Sequence, residues 1–244
     1  MTDGIGGVTI DARPEPLRIV PGATAVIVVD MQNDFGAEGG MFARAGIDIS
    51  GIRAAVAPTA RVLAAARGAG MPVVYLTMGF AADLSNAGGS DAPNRVRHLI
   101  VGVGDPVVAP DGRASWVLIE GTWNTEVLPE LAPQPGDPVV SKHRFSGFFE
   151  TDLDAILKGL GVTSLVFTGC TTSVCVESTL RDAFFRDDRC LLLEDCTAEP
   201  IGVGLPRSNH AATLLLVEVM FGWVADSAAF LGALAALPAA TAAV

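Results

Sequence analysis

The chain is predicted to be a doubly wound α/β domain, with a mostly parallel six-stranded sheet held between helical layers. Three observations predict it. Short runs recur that are apolar throughout, beginning with Thr24-Ala-Val-Ile-Val-Val-Asp30, as expected for strands buried on both faces. Segments with apolar residues at helical spacing alternate with these runs, the pattern of a parallel sheet covered on both sides. No internal repeat and no linker divides the 244 residues, so a single domain is expected over 1–244.

The elements follow in order. The first strand, 24–30, ends in a carboxylate. Residues 52–70 carry Ile52, Val56, Ala60, Leu63 and Ala66 on one helical stripe, with Gly68 and Gly70 as stop signals. A second strand, 72–77, follows at once. Between 78 and 137 the periodicity fades into Gly, Pro, Asn and Asp, an insertion of the kind that lines binding sites. Regularity resumes with strands at 138–142, 164–168 and 190–194, helices at 151–159, 174–186 and 208–221, an edge strand at 223–225 and a last helix from 227. The core is expected over about 14–236, with 237–244 as a tail.

Composition narrows the function. Half the residues are apolar and 18% are charged, enough for a sizeable core. Sixteen Lys and Arg against 27 Asp and Glu leave a net charge of −11, a poor match to nucleic acid or to an anionic membrane. The N-terminus, MTDGIGGVTI, lacks the pattern of a signal peptide, so a cytoplasmic location is expected. The apolar stretch 227–244 is mostly Ala and is broken by Pro238, which fits a terminal helix better than a membrane span. Cys170, Cys175, Cys190 and Cys196 form no C-x-x-C pair and read as free thiols. His98, His143 and His210 form no metal-binding pattern, so no metal is expected. Gly102-Val-Gly104 runs into Asp105 and Pro106 rather than a helix start, so no nucleotide cofactor is expected.

In open parallel sheets, ligands bind beyond the carboxyl ends of the strands, where strand order reverses. That rule selects Asp30, Lys142 and the segment 169–175. Cys175 at a predicted helix start would have its thiol pKa lowered from about 8.5 by the helix dipole, with Lys142 adding positive charge. Asp30 would then take the thiol proton, and free backbone N–H groups in 170–175 would stabilise an oxyanion. Each residue also has an ordinary structural reading. A thiol at a helix start is often a small buried hydrophobe, a strand-end Asp a turn cap, and a strand-end Lys a solvated charge. Cys170 competes for the nucleophile's role, but directly after the strand and Gly169 it should face the packed turn. Cys190 and Cys196 read as structural, and His143 as a lining or surface residue.

Val28-Val-Asp-Met-Gln-Asn-Asp-Phe35, Ser141-Lys142 and Thr168-Gly-Cys-Thr-Thr-Ser-Val-Cys-Val-Glu-Ser-Thr-Leu-Arg-Asp-Ala183 resemble the three signature segments of the isochorismatase-like cysteine hydrolases. The likeness covers about 14–234. It implies an Asp30, Lys142 and Cys175 triad, a cis peptide between Cys170 and Thr171, and an oxyanion hole from the Thr171 and Cys175 N–H groups. The cysteine implies hydrolysis of an amide or carbamoyl group through a thioester rather than cleavage of a vinyl ether. The lack of any His before His98 disfavours the metal-binding nicotinamidase branch.

Ala12-Arg-Pro-Glu15, Gln134-Pro-Gly136, Arg144-Phe-Ser-Gly-Phe-Phe149 and Phe221-Gly-Trp223 are similar to the branch that hydrolyses ureidoacrylate in pyrimidine breakdown. Cys170-Thr-Thr-Ser173 departs from the Ile-Ala-Thr-Asn of that branch and keeps N-carbamoyl amino acids, biuret-like compounds and simple amides in play. A non-catalytic binding member of the fold is the alternative from another class. Candidate pocket residues are Phe35, Asn94, Trp116, Trp123, Arg144 and Phe145, with Arg144 suited to a substrate carboxylate. The expected partners are a small amide or ureide and further copies of the chain, as a dimer or tetramer.

Overall fold

The structure, a computed structural model, describes residues 6–237. The first half runs β1 (Val8–Ile10), β2 (Leu17–Ile19), β3 (Thr24–Val29), α1 (Asn33–Gly36), α2 (Met41–Arg44), α3 (Ser50–Gly68), β4 (Val73–Met78), α4 (Pro93–Ile100), β5 (Pro106–Val108) and β6 (Ala114–Trp116). The second half runs β7 (Val139–Lys142), α5 (Leu153–Gly159), β8 (Ser164–Cys170), α6 (Glu177–Phe184), β9 (Arg189–Ala198), α7 (Asn209–Leu216), β10 (Trp223–Ala225) and α8 (Ser227–Ala235).

Six strands form one sheet in the order β10-β9-β8-β3-β4-β7, and every neighbouring pair is parallel. The chain builds outward from β3 through β4 to β7, then returns to the other side of β3 with β8, β9 and β10. Strand order therefore reverses between β3 and β8, and a crevice opens beyond their carboxyl ends. All six residues of β3 and all seven of β8 are buried, which is why both read as unbroken apolar runs.

The period of two along β3 divides its side chains between two cores. Val26 and Val28 join Val56, Leu63 and Phe230 of α3 and α8 on one face. Ala25, Ile27 and Val29 join Leu157, Leu180 and Val217 on the other. The predicted tail begins at Leu237, and residues 238–244 lie outside the described residues.

The structure departs from the sequence pattern in four places. The predicted helix 174–186 opens as a π-helical turn, Thr172–Val176, and becomes α-helical only at Glu177. The predicted helix 208–221 is α7, capped by the Ser208 hydroxyl accepting from the Ala211 N–H (3.1 Å), and it ends in a second π-helical turn, Val217–Phe221. β9 runs four residues past the predicted 190–194 strand, to Ala198, beside an irregularity in β8 between Phe167 and Gly169. The insertion 78–137 holds helix α4 and the β5–β6 ladder. Among the described residues no helix is long and apolar enough to cross a membrane.

Candidate active site

β3 ends at Val29, and Asp30 turns the chain sharply with a φ of 49°, a left-handed conformation that Asp tolerates better than most residues. Its carboxylate thereby sits at the switch point, buried. Lys142, the last residue of β7, reaches across beneath β4, and its Nζ lies 2.7 Å from Asp30 Oδ2 with both side chains almost wholly buried (0% and 1% exposed). Nζ also approaches the Met78 sulfur (3.5 Å) and donates to the Arg144 carbonyl (3.4 Å). Burial pushes the Asp30 pKa up, while the adjacent ammonium opposes that rise. For Lys142, burial works against the charge and the carboxylate wins, so its pKa is raised. At 2.7 Å the two side chains form a buried salt bridge.

The turn that carries Cys175 follows β8. Gly169 has a φ of +111°, and a Cβ there would lie 2.0 Å from the Val29 carbonyl oxygen. Only glycine lets the ends of β8 and β3 approach this closely. The next peptide bond, Cys170–Thr171, is cis, and the π-helical turn then presents Cys175. Among the described residues, neither the Thr171 nor the Cys175 N–H donates to a residue outside the turn.

The Cys175 thiol is 7% exposed and shares the wall of one cavity with Asp30, Met78 and Thr171. Its pKa is raised, first by burial and then by the Asp30 charge, with Lys142 pulling the other way. The expected lowering at a helix start is thus corrected: Cys175 lies in a π-helical turn ahead of α6, and burial beside the Asp30 carboxylate raises its pKa. The resting nucleophile candidate is a protonated thiol beside a carboxylate. Among the described residues Asp30 Oδ1 has no hydrogen-bond partner within ordinary limits, yet the carboxylate is near enough to act on the thiol's ionisation. Cys170 sits behind this arrangement, 1% exposed, with its sulfur donating to the Asp30 carbonyl (3.1 Å) and its pKa raised by burial.

The cavity, about 340 Å³, is the size of a small-molecule site. Phe35 and Phe145 line it. Four other expected pocket residues do not, and each has a physical reason. The Asn94 amide is spent on the Ala87 and His143 carbonyls (3.0 and 3.3 Å). Trp116 is at the end of β6, paired with Pro106 and turned to solvent. Trp123 lines a separate surface pocket, where its carbonyl accepts from Asn33 Nδ2 (2.7 Å). Arg144 donates to the Asn86 and His143 carbonyls (2.9 and 2.7 Å) and stacks over Phe149, so its guanidinium points away from the cavity.

Other residues take their places. Arg97 and His98 of α4 both line the cavity. His98 is buried, its Nδ1–H donates to the Asn94 carbonyl (2.7 Å), and desolvation with nearby Lys142 and Arg144 lowers its pKa, which keeps it neutral. Gln32 pins the carboxyl end of β4 by accepting from the Met78 N–H (2.7 Å) and donating to the Met78 and Thr125 carbonyls (3.0 and 2.9 Å). Asp34 accepts from the Met41 and Leu118 N–H groups (2.8 and 2.7 Å) and so anchors two stretches of cavity wall. Glu199, just past β9, accepts from the Ser173 N–H (2.8 Å), the Ser173 hydroxyl (2.5 Å) and the Ile201 N–H (2.9 Å), which clamps the turn holding Cys175. Gln32 and Asp34 carried a readable signal: polar side chains directly after a fully buried strand must find partners inside. Among the described residues, no group of three or more His, Cys, Asp or Glu side chains is placed to hold a metal ion.

Comparison with known proteins places this geometry in a family. The isochorismatase domain profile matches residues 24–229. The chain is 44% identical over 229 residues to the ureidoacrylate amidohydrolase RutB of Methylobacterium radiotolerans, covering 94% of this chain and 86% of that one. A cysteine hydrolase from Pseudomonas syringae pv. phaseolicola superposes with a TM-score of 0.74 at 30% identity, covering 89% of this chain and 94% of that one. The N-carbamoylsarcosine amidase from Thermoplasma acidophilum gives a TM-score of 0.60 at 28% identity, over 84% and 96%. With a matching domain profile across most of its length and the same six-stranded parallel sheet, the chain belongs to the isochorismatase family.

Proposed function

We propose that this chain is a cysteine-dependent amidohydrolase that cleaves a ureido C–N bond of a small molecule through an S-carbamoyl intermediate on Cys175. One observation carries the reading. A cavity-lining thiol sits beside a buried carboxylate–ammonium pair, in a turn whose Thr171 and Cys175 N–H groups, among the described residues, donate to no residue outside the turn. The identity with amidohydrolases named for ureidoacrylate supports the substrate class.

Asp30 Oδ1 takes the thiol proton as sulfur attacks the ureido carbonyl carbon. The carbonyl oxygen becomes an oxyanion held by the two N–H groups. As the tetrahedral species collapses, the bond to the substituted nitrogen breaks and Asp30 returns the proton to that nitrogen, releasing an amine. Cys175 then carries –C(=O)NH₂. Water, giving a proton to Asp30, attacks that carbon, and the C–S bond breaks as Asp30 returns the proton to sulfur, releasing carbamic acid and restoring the thiol. Carbamate decays to ammonia and carbon dioxide. Lys142 stays charged throughout and stabilises the carboxylate between transfers.

Ammonia release from ureido acids, N-carbamoyl amino acids, biuret and primary amides tests the reading. Turnover of ureido compounds is expected, with intact-mass spectra of rapidly quenched enzyme showing one carbamoyl group on Cys175. Turnover that persists after Cys175→Ala refutes it.

A further inference from the structure

The cavity wall is apolar around most of its circuit, with Phe35, Phe42, Leu118, Val174 and Ile201 contributing. Among the described residues, two charged side chains interrupt it, Asp30 and Arg97. Asp30 is neutralised by Lys142 at 2.7 Å. His98, beside Arg97 in sequence, is neutral. Arg97 has no such partner: among the described residues its guanidinium makes no hydrogen bond, ion pair or ring contact, whereas Arg144 is held by two carbonyls and an aromatic face. Arg97 is itself exposed while lining the cavity, which places it at the rim, opposite in character to the buried reacting centre.

An unpaired guanidinium at the mouth of an apolar cavity is available to an anion that enters it. Nearby apolar walls strengthen any charge pair formed there, and the planar donor fork of Arg matches a carboxylate. The chain as a whole carries a net charge of −11, so an anionic ligand is repelled at long range and needs a local cation to be held. We propose that Arg97 binds the carboxylate of the substrate, so that the site takes ureido acids, with the ureido group at Cys175 and the acid end at the rim, in preference to uncharged ureides. The assignment rests on the ureidohydrolase reading above and goes beyond it by naming the residue that reads the substrate's acid end.

The test compares 3-ureidopropionate with its uncharged counterpart, n-propylurea, in the wild type and in Arg97→Gln, Arg97→Lys and Arg97→Glu. Arg97 supports no other side chain, so the variants are expected to fold. Arg97→Gln should lower kcat/KM for the acid by roughly 10- to 100-fold, mostly through KM, and should affect the uncharged urea far less. Arg97→Lys should recover part of the loss, and Arg97→Glu should invert the preference. Calorimetric binding of the two compounds to Cys175→Ala, with and without Arg97→Gln, reads the same contrast without turnover. If the wild type hydrolyses ureides with no preference for the acid, or Arg97→Gln weakens both compounds equally or neither, the carboxylate assignment is overturned while the hydrolase reading stands. If no ureide is hydrolysed, the hydrolase reading fails, and equal binding of both compounds to Cys175→Ala then removes the assignment too.

Discussion

Asp30→Asn separates the two things the buried pair does. The wild-type carboxylate and the Lys142 ammonium lie 2.7 Å apart and are 1% and 0% exposed. Removing one partner of a buried pair leaves an uncompensated charge and costs about 3–5 kcal/mol, a large share of the roughly 5–15 kcal/mol that holds a domain folded. The midpoint of thermal unfolding should fall accordingly. Asp30→Asn/Lys142→Met, which removes both charges, should regain most of that stability without regaining activity. Loss of the proton acceptor should lower kcat/KM by roughly 10²- to 10⁴-fold. The thiol should respond in the opposite sense. The Asp30 charge raises the Cys175 pKa and Lys142 lowers it, so the variant's thiol becomes more acidic and iodoacetamide at neutral pH should alkylate it faster than in the wild type. A variant with slower turnover and a more reactive thiol is hard to reach by general unfolding, which would expose all four cysteines at once. Turnover within tenfold of wild type, or a thiol that reacts more slowly, refutes the role given to Asp30.

Further outcomes follow from the same geometry. Glu199→Ala leaves the Ser173 and Ile201 N–H groups without their acceptor, at about 1–3 kcal/mol each, so the unfolding midpoint and kcat should both drop, with Glu199→Gln recovering part of each. Cys170→Ala removes a buried sulfur that donates to the Asp30 carbonyl, and it should lower stability by about 1–2 kcal/mol while intact-mass spectra still show the carbamoyl group on Cys175. All four thiols are buried with raised pKa values, so the folded chain keeps protons that the unfolded chain releases above about pH 8.5. Their stabilising contribution is complete below that pH and fades as pH rises, with a slope approaching about 5 kcal/mol per pH unit. Unfolding midpoints measured from about pH 8 to pH 10 should therefore fall steeply, and a flat profile would show the thiols to be ordinary in the fold.

The sheet was legible because its strands are buried on both faces. Runs such as 24–29 and 164–168 are dominated by apolar residues, their few polar ones, Thr24, Ser164 and Thr168, are buried, and the helices between them carry one apolar stripe each. What escaped is structure whose stability comes from partners distant in sequence. α4 has an apolar spacing interrupted by Arg95 and Arg97, and it is held by Arg95 donating to the Leu84 and Gly88 carbonyls (3.1 and 3.4 Å). The far end of β9, Asp195-Cys-Thr-Ala198, mixes polar and apolar residues, and its place in the sheet is set by pairing with Gly169 and Cys170. Local propensity contains neither fact.

The reacting groups and the recognition groups differ in the same way. Asp30, Lys142 and Cys175 stand at strand ends or in the turn just after one, so the topology of a parallel sheet delivers them to one mouth whatever the intervening loops do. Their protonation is another matter, since it depends on how completely three separate segments exclude water from one another. The rim depends on the insertion alone. Arg144, two residues from Lys142, looked like the group to meet a carboxylate, yet its backbone carbonyl is what reaches the site, accepting from Lys142 Nζ, while its guanidinium is turned back to close the insertion onto β7 through Asn86 and His143. Arg97, forty-five residues before Lys142 and on a helix with no strong sequence signal, is left as a cation on the cavity wall with no partner among the described residues. Sheet topology therefore fixes which of the proposed bond-breaking groups meet, and the loop hydrogen bonds decide which arginine on the cavity wall is left unpaired among the described residues, the one proposed to read the substrate.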